Sequence, residues 1–261
     1  MLGEILEYAF TPASRLARTQ GFLRGAIQIR SRHGRCRNAW APHLARTRHV
    51  ILEAAKLCPN RGRVLILGGG LVHDVPVAEL CASFGEVLLA DLAHPISSRF
   101  QTRRYRNLRR LEVDVSGVMA RLARPGFPEI QRPDLRCGES NVDLVVSVNL
   151  LSQLCWAPTR ILDPHPERDR VRTFLAGVVR AHLDALNDLP CAAALVTDHA
   201  WRRREVRTGK TDRWEVLQGI ALPVGGDRWD WEIAPAPERE RSADFTAEVV
   251  GYADWKQSGW A

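Results

Sequence analysis

Lysine is nearly missing from this chain. Of its 37 basic residues only Lys56, Lys210 and Lys256 are lysines, so arginine supplies almost all of the positive charge behind a net +7. The arginines are spread along the chain and not gathered in one tail. That distribution favours a solvated surface over a dedicated anion-binding face, although a basic surface permits anionic partners, nucleic acid among them. No apolar run reaches the length of a spanning helix, so no membrane segment is expected. No secretory signal is expected either, because Glu4 and Glu7 stand where a positive region and an apolar core would be needed. The six cysteines (Cys36, Cys58, Cys81, Cys137, Cys155, Cys191) contain no C-x-x-C pair. Their scatter excludes the usual zinc spacing and a disulfide frame, and fits reduced thiols in a cytoplasm. No metal site is expected. Internal repeats and low-complexity tracts are also missing.

What is present is enough apolar residue, 45% of 261, to bury a core of one α/β domain with an appendage. The chain is organised around residues 63–91. Four apolar residues, Val64 to Leu67, run into Gly68, Gly69 and Gly70. A helical stretch follows over 75–84, then a short apolar strand ending on Asp91. Strand, glycine turn, helix, strand, acid is the order of a nucleotide-binding β-α-β unit. Glycine lets a ligand lie close against the backbone. The turn feeds the amide end of a helix, where partial positive charge collects. A carboxylate about 20 residues on is placed to accept hydrogen bonds from a ribose diol.

The dinucleotide fingerprint G-x-G-x-x-G fits Gly68 and Gly70 but needs a third glycine where His73 stands, which counts against a pyrophosphate-bearing cofactor. On these residues the chain resembles class I S-adenosylmethionine-dependent methyltransferases. Their first motif usually reads acid-x-Gly-x-Gly-x-Gly; here Ile66 replaces the acid and Val72 the last glycine. The Leu-Ile-Leu-Gly-Gly-Gly form also looks like the glycine turn of the related aminopropyltransferases. The resemblance implies a mostly parallel Rossmann-like α/β sheet of about seven strands with antiparallel C-terminal strands, helices on both faces and an N-terminal helical extension. It implies S-adenosyl-L-methionine as cofactor, with Gly68, Gly69 and Gly70 under its amino acid and ribose region and Asp91 on the ribose hydroxyls. Asp114 and its neighbour Val115 match the adenine-binding position after the third strand, and Asn149 matches the transfer-site position after the fourth.

Read in order, residues 1–60 form a helical extension or cap and residues 61–261 the sheet domain. Helices are expected over 1–10, over 14–29 with a break at His33-Gly34-Arg35, and from Pro42 to Lys56. By the resemblance, N-terminal helices lie over the cofactor pocket and make Trp40 and His43 candidates for acceptor contact; plain packing of Trp40 on the sheet and a solvated His43 are the alternative. Asp74 suits an N-cap, or a place near the cofactor's amino acid end, and His73 could line the same opening. His94 is a candidate neighbour of the adenosine, with an Arg-rich helix after it over 96–108. The third strand is expected over 111–115, with Asp114 also able to cap a helix at 117–122. Residues 124–141, with Pro125, read as an irregular connection. The continuous apolar run 142–149 suits a parallel strand covered on both faces and ends at Asn149, with Gln153 nearby. Residues 156–170, with Pro164, read as a polar lid, and a packed helix follows over 171–186 with His182 at the core edge. The fifth strand, 192–197, leads to His199 at a strand's carboxyl end, where ligands sit in open α/β sheets. That place makes His199 the leading candidate for a general base, with His43 second. A basic loop or helix over 202–207, a hairpin over 214–233 and a last strand over 245–252 complete the chain.

The expected activity is methyl transfer to a small-molecule acceptor. Two alternatives remain: an aminopropyltransferase-like enzyme, against which the basic excess argues, and a non-catalytic protein of the same fold binding RNA or protein through its arginines. A nicotinamide enzyme is disfavoured by His73.

Overall fold

The computed structural model describes residues 2–122, 126–163 and 165–260. Met1, Pro125 and Pro164, which the sequence places in the first helix, the irregular connection and the lid, lie outside the described residues. The N-terminal part is four helices: α1 (Leu2–Phe10), α2 (Arg15–Thr19), α3 (Phe22–Arg35) and α4 (Arg37–Leu57). The expected helix over 14–29 is thus two helices parted at Gly21, whose φ of 82° suits glycine. The break expected at His33-Gly34 is not there. Helix α3 runs through it to Arg35, and α4 starts at Arg37 with Pro42 inside its second turn, where the ring removes one backbone donor.

The sheet follows as β1 (Arg63–Leu67), α5 (Val77–Ser83), β2 (Glu86–Asp91), α6 (Ile96–Thr102), β3 (Leu108–Glu112), α7 (Met119–Leu122), β4 (Leu144–Val148), a 3-10 turn (Leu151–Cys155), α8 (Trp156–Leu162), α9 (Arg168–Asn187), β5 (Ala192–Glu205), β6 (Thr211–Glu215), β7 (Asp227–Ala234) and β8 (Ala243–Tyr252). Strand order is β3-β2-β1-β4-β5-β8-β7, with β6 on β5. The first five strands run parallel; β8 is antiparallel to both β5 and β7. An antiparallel strand between β5 and the edge strand is the arrangement expected from the sequence, with eight strands among the described residues against about seven expected.

Alternation along the strands explains the layers. Val64 and Ile66 turn to the face covered by α4 and α5, joining Trp40, Ile51, Leu80, Val146 and Val196. Leu65 and Leu67 turn to the opposite face with Phe174, Val178, Leu183 and the fully buried Trp255. Buried on both faces, β1 beyond Arg63 and β4 carry apolar runs, interrupted at Ser147, whose hydroxyl meets His182 in the core.

Several boundaries differ from those expected. Helix α6 stops at Thr102, and β3 starts three residues early because Leu108 to Glu112 pair with Val87 to Asp91, leaving Asp114 beyond the strand. Within the lid segment, α8 and the start of α9 are helical. The largest difference is β5. It runs 14 residues, so residues 202–205 are strand, not loop or helix. Its first part pairs with β4 up to Val148↔Val196, and its second part, Ala200 to Arg204, pairs with β6 along the same edge. The expected hairpin over 214–233 is replaced by a β5–β6 hairpin and a β7–β8 pair.

Candidate functional site

In an open α/β sheet the crevice for ligands opens where neighbouring strands send their chains to opposite sides. Here that point lies between β1 and β4, and it brings together the glycine turn, Asp91 and Asn149.

The turn after β1 is held tightly. Gly68 has φ 87° and its N–H donates to the Ala90 carbonyl at 2.9 Å. A Cβ at Gly68 would run into the Val148 carbonyl, one at Gly69 would lie 3.1 Å from Leu89 Cδ2, and one at Gly70 2.6 Å from Asp91 Oδ2. Gly68 and Gly70 are therefore required by the chain's own backbone, while Gly69 packs closely on Leu89. The Asp91 carboxylate faces the turn, accepting from Gly70 N–H at 2.9 Å and Ala93 N–H at 3.3 Å. Burial pushes its pKa up, partly offset by the neighbouring His94. His94 is buried, with Nε2 3.0 Å from the Leu111 carbonyl, and so ties the loop after β2 to β3.

Asp114 spends both oxygens on the turn into α7: Oδ1 accepts from Ser116 N–H at 3.0 Å and Ser116 O–H at 2.5 Å, and Oδ2 from Met119 N–H at 3.0 Å. The capping alternative is the geometry adopted. Val115 is buried in the core beneath it.

Asn149 ends β4 with φ 47°, and its N–H donates to the Val196 carbonyl at 2.8 Å. The bend throws its side chain toward α4 and the loop before α5. Its amide lies 2.6 Å from Asp74 Oδ2 and 3.2 Å from His43 Nε2. Asp74 is not the N-cap of α5; that place belongs to Pro76, with no side-chain cap bond. Burial raises the Asp74 pKa above the ordinary carboxylate value. His43 is not solvated but 1% exposed. Its Nδ1 accepts from the Trp229 indole N–H at 3.0 Å, and its ring stacks on Trp231 at 4.0 Å between centroids, 5° from parallel. Burial holds its pKa down at about 3. Trp40 packs edge-on against Trp231 and donates to the Ile233 carbonyl at 3.1 Å. His73 stacks on His33 at 4.1 Å, and burial takes its pKa to about 4. Gln153 is exposed and its side chain holds the Asn149 carbonyl at 2.5 Å.

His199 is not at the end of a strand. It occupies the bulge between Asp198 and Ala200 inside β5, where its Nε2 accepts from Arg228 at 3.2 Å. Burial, then the Arg228 charge, lower its pKa. Asp198 beside it bonds Ser152 O–H and the Trp201 indole. The structure thus unites His43 with Asn149 and leaves His199 with β7. The sequence reading missed Trp229 and Trp231, although two tryptophans at i and i+2 of a strand share one face.

No family model matches this sequence, and no curated protein is found similar to it. Among solved structures the chain is similar to DhpI in a complex with S-adenosylhomocysteine (16% identity, 86% of this chain and 93% of that one, TM-score 0.38). It is also similar to the Burkholderia thailandensis 1,6-didemethyltoxoflavin-N1-methyltransferase (15%, 79% and 80%, TM-score 0.32) and to the 23S rRNA methyltransferase ErmE (12%, 81% and 71%, TM-score 0.30). Overlaps this loose assign neither activity nor acceptor, so the functional reading rests on the chain's own geometry.

A cavity of about 370 Å³ lies at the other ends of the strands, lined by Asp143, Ala192 and Lys256 among others. Among the described residues no group of three His, Cys, Asp or Glu could hold a metal ion, and no helix is long and apolar enough to cross a membrane.

Proposed function

We propose that this chain is an S-adenosylmethionine-dependent methyltransferase acting on a small-molecule acceptor. The observation that supports it best is the meeting of the glycine turn, the Asp91 carboxylate and Asn149 at one switch point, in a sheet closed by an antiparallel strand beside β5. The Asp91 oxygens keep lone pairs beyond their bonds to Gly70 and Ala93, and these suit the two hydroxyls of a ribose. Asp114 and Val115 stand at the adenine end, and Asn149 at the transfer end.

When bound, the sulfonium cofactor supplies an already activated methyl group, so the protein's task is alignment of a nucleophile and exclusion of water. The resting geometry makes His43 a poor base. Its Nδ1 lone pair is taken by Trp229, and a pKa of about 3 is far from the value that suits proton abstraction at neutral pH. His199 has its lone pair turned to Arg228. An acceptor that needs no base, such as a neutral amine or an already ionised group, fits this site better than an alcohol. His43 then serves to hold Asn149, and Trp40, Trp229 and Trp231 wall the acceptor side.

Isothermal titration with S-adenosylmethionine and S-adenosylhomocysteine tests the reading. Micromolar binding, abolished in Asp91→Ala without loss of fold, is expected. A folded protein that binds neither compound would overturn it.

A further inference from the structure

The hydrogen bonds around His43 fix more than its position. The Trp229 indole N–H can only donate, so His43 Nδ1 must be the accepting nitrogen of a neutral ring, and the single ring proton must sit on Nε2. Nε2–H then needs an acceptor in front of it. The atom it faces, at 3.2 Å, is one end of the Asn149 amide, and that same atom lies 2.6 Å from Asp74 Oδ2. If this end were the amide nitrogen, two donors would face each other at His43 while the amide oxygen stayed buried without a partner, as Oδ1 is in that orientation. Turning the His43 ring over would leave the Trp229 N–H without its nitrogen. A half-turn of the Asn149 amide, whose nitrogen and oxygen have nearly the same shape, removes the conflict at His43 and leaves the NH2 group, in place of the oxygen, without a partner in the protein. Its oxygen then accepts from His43, and Asp74 must bring a proton of its own. The 2.6 Å separation is short for an amide N–H donor and ordinary for O–H···O.

We propose that Asp74 is kept as a neutral carboxylic acid, that it and His43 both donate to the Asn149 side-chain oxygen, and that Asn149 thereby offers its NH2 group to an oxygen of the ligand. Asp74 is in these terms a positioning residue. Its surroundings agree: burial and the Asp91 charge favour the acid, and Arg48, whose guanidinium is anchored on the His73 carbonyl, is the cation that opposes it. A second unpaired donor belongs to a ring that touches His43. The Trp231 indole, stacked on His43, has its N–H buried with no acceptor in the protein. Two buried donors flanking one neutral imidazole suit a carboxylate or carbonyl oxygen and offer nothing to an ammonium group. Placing that oxygen on the methyl acceptor rests on the function proposed above; the protonation pattern does not.

Heteronuclear NMR of the whole, ligand-free protein tests the pattern. The ¹⁵N shifts of His43 are expected to report the Nε2–H tautomer, and the Asp74 carboxyl carbon to report the neutral acid at pH 7. Asp74→Asn, which can still donate to the Asn149 oxygen, is expected to keep the tautomer and the melting temperature, whereas Asp74→Ala loses both. An ionised Asp74, an Nδ1–H tautomer, or an Asp74→Asn protein as damaged as Asp74→Ala would overturn the proposal. Titration with millimolar acetate is expected to move the Asn149 NH2 and Trp231 indole signals, assigned through Asn149→Asp and Trp231→Phe; signals that stay still would refute the oxygen preference. A protein with the expected NMR signature that binds no S-adenosylhomocysteine would sink the methyltransferase reading alone.

Discussion

Three imidazoles, His43 and His182 fully buried and His73 partly so, make this fold sensitive to mild acid. His43 is held at about 3, and His73 and His182 at about 4, each because burial disfavours the cation. Unfolded, all three return to about 6.5. Between those values the unfolded chain binds protons that the native one refuses, so stability is complete above about pH 6.5 and falls as the pH drops below it. At about pH 5 each histidine costs ~2 kcal/mol relative to neutral pH, roughly 6 kcal/mol together, against a typical total of about 5–15 kcal/mol. Asp74 and Asp91 act in the opposite sense. Their raised pKa values mean that the native carboxyls take up protons before the unfolded ones do, which returns part of the loss. Urea unfolding at about pH 7.5 and 5 measures the difference. The sharper test is His182→Gln. His182 lies in the core with Nε2 3.0 Å from the Ser147 hydroxyl, and glutamine can keep a hydrogen bond there without titrating. Its intrinsic cost cancels in the comparison between the two pH values. The variant is expected to lose ~2 kcal/mol less on acidification than the wild type. An acid loss unchanged to within about 0.5 kcal/mol would refute the account.

Gly70→Ala would force a Cβ against Asp91 Oδ2 and the Ala93 carbonyl, and a cost of about 1–3 kcal/mol in unfolding experiments is expected, with loss of S-adenosylhomocysteine binding in calorimetry. Trp255→Ala empties the largest fully buried side chain of the described core, and about 3–5 kcal/mol should be lost in urea melts. His199→Ala is expected to leave the pH dependence of methyl transfer unchanged, because its ring faces Arg228; a displaced acidic limb in the rate profile would restore it as a base. Glu238→Gln removes a carboxylate shared by Arg32 and Arg35, and since both arginines are substantially exposed, less than about 1 kcal/mol should be lost.

The central parallel strands were legible because they are buried on both faces and so write apolar runs: Val64 to Leu67 and Leu144 to Val148 are where the sequence places them, whereas the partly exposed edge strand β3, with two arginines and a glutamate, starts three residues before its expected place. Asn149 and Asp91 were legible for the same reason, since each closes such a run. The antiparallel half was harder to read. Residues 198–205 carry an aspartate, a histidine and three arginines, which resemble a loop when one face of the strand is solvated; pairing with β8 on one edge and β6 on the other makes them strand. Pairing of this kind is tertiary, and no local pattern reports it. The misplacement of His199 follows directly, because a strand thought to end at Thr197 runs eight residues further. His43 was underread for a related cause: a helix presents its histidine to whichever strand packs below it, and Trp229 lies 186 residues away in sequence.

The overhang of β5 past the end of β4 makes one wall beside Asn149 rigid. Beyond Val148, β5 is laddered to β8 on one side and to β6 on the other, so swinging this wall aside would break a row of main-chain hydrogen bonds that is continuous with the centre of the molecule. Amide exchange should therefore be slow along residues 200–204, the mark of a fixed jamb.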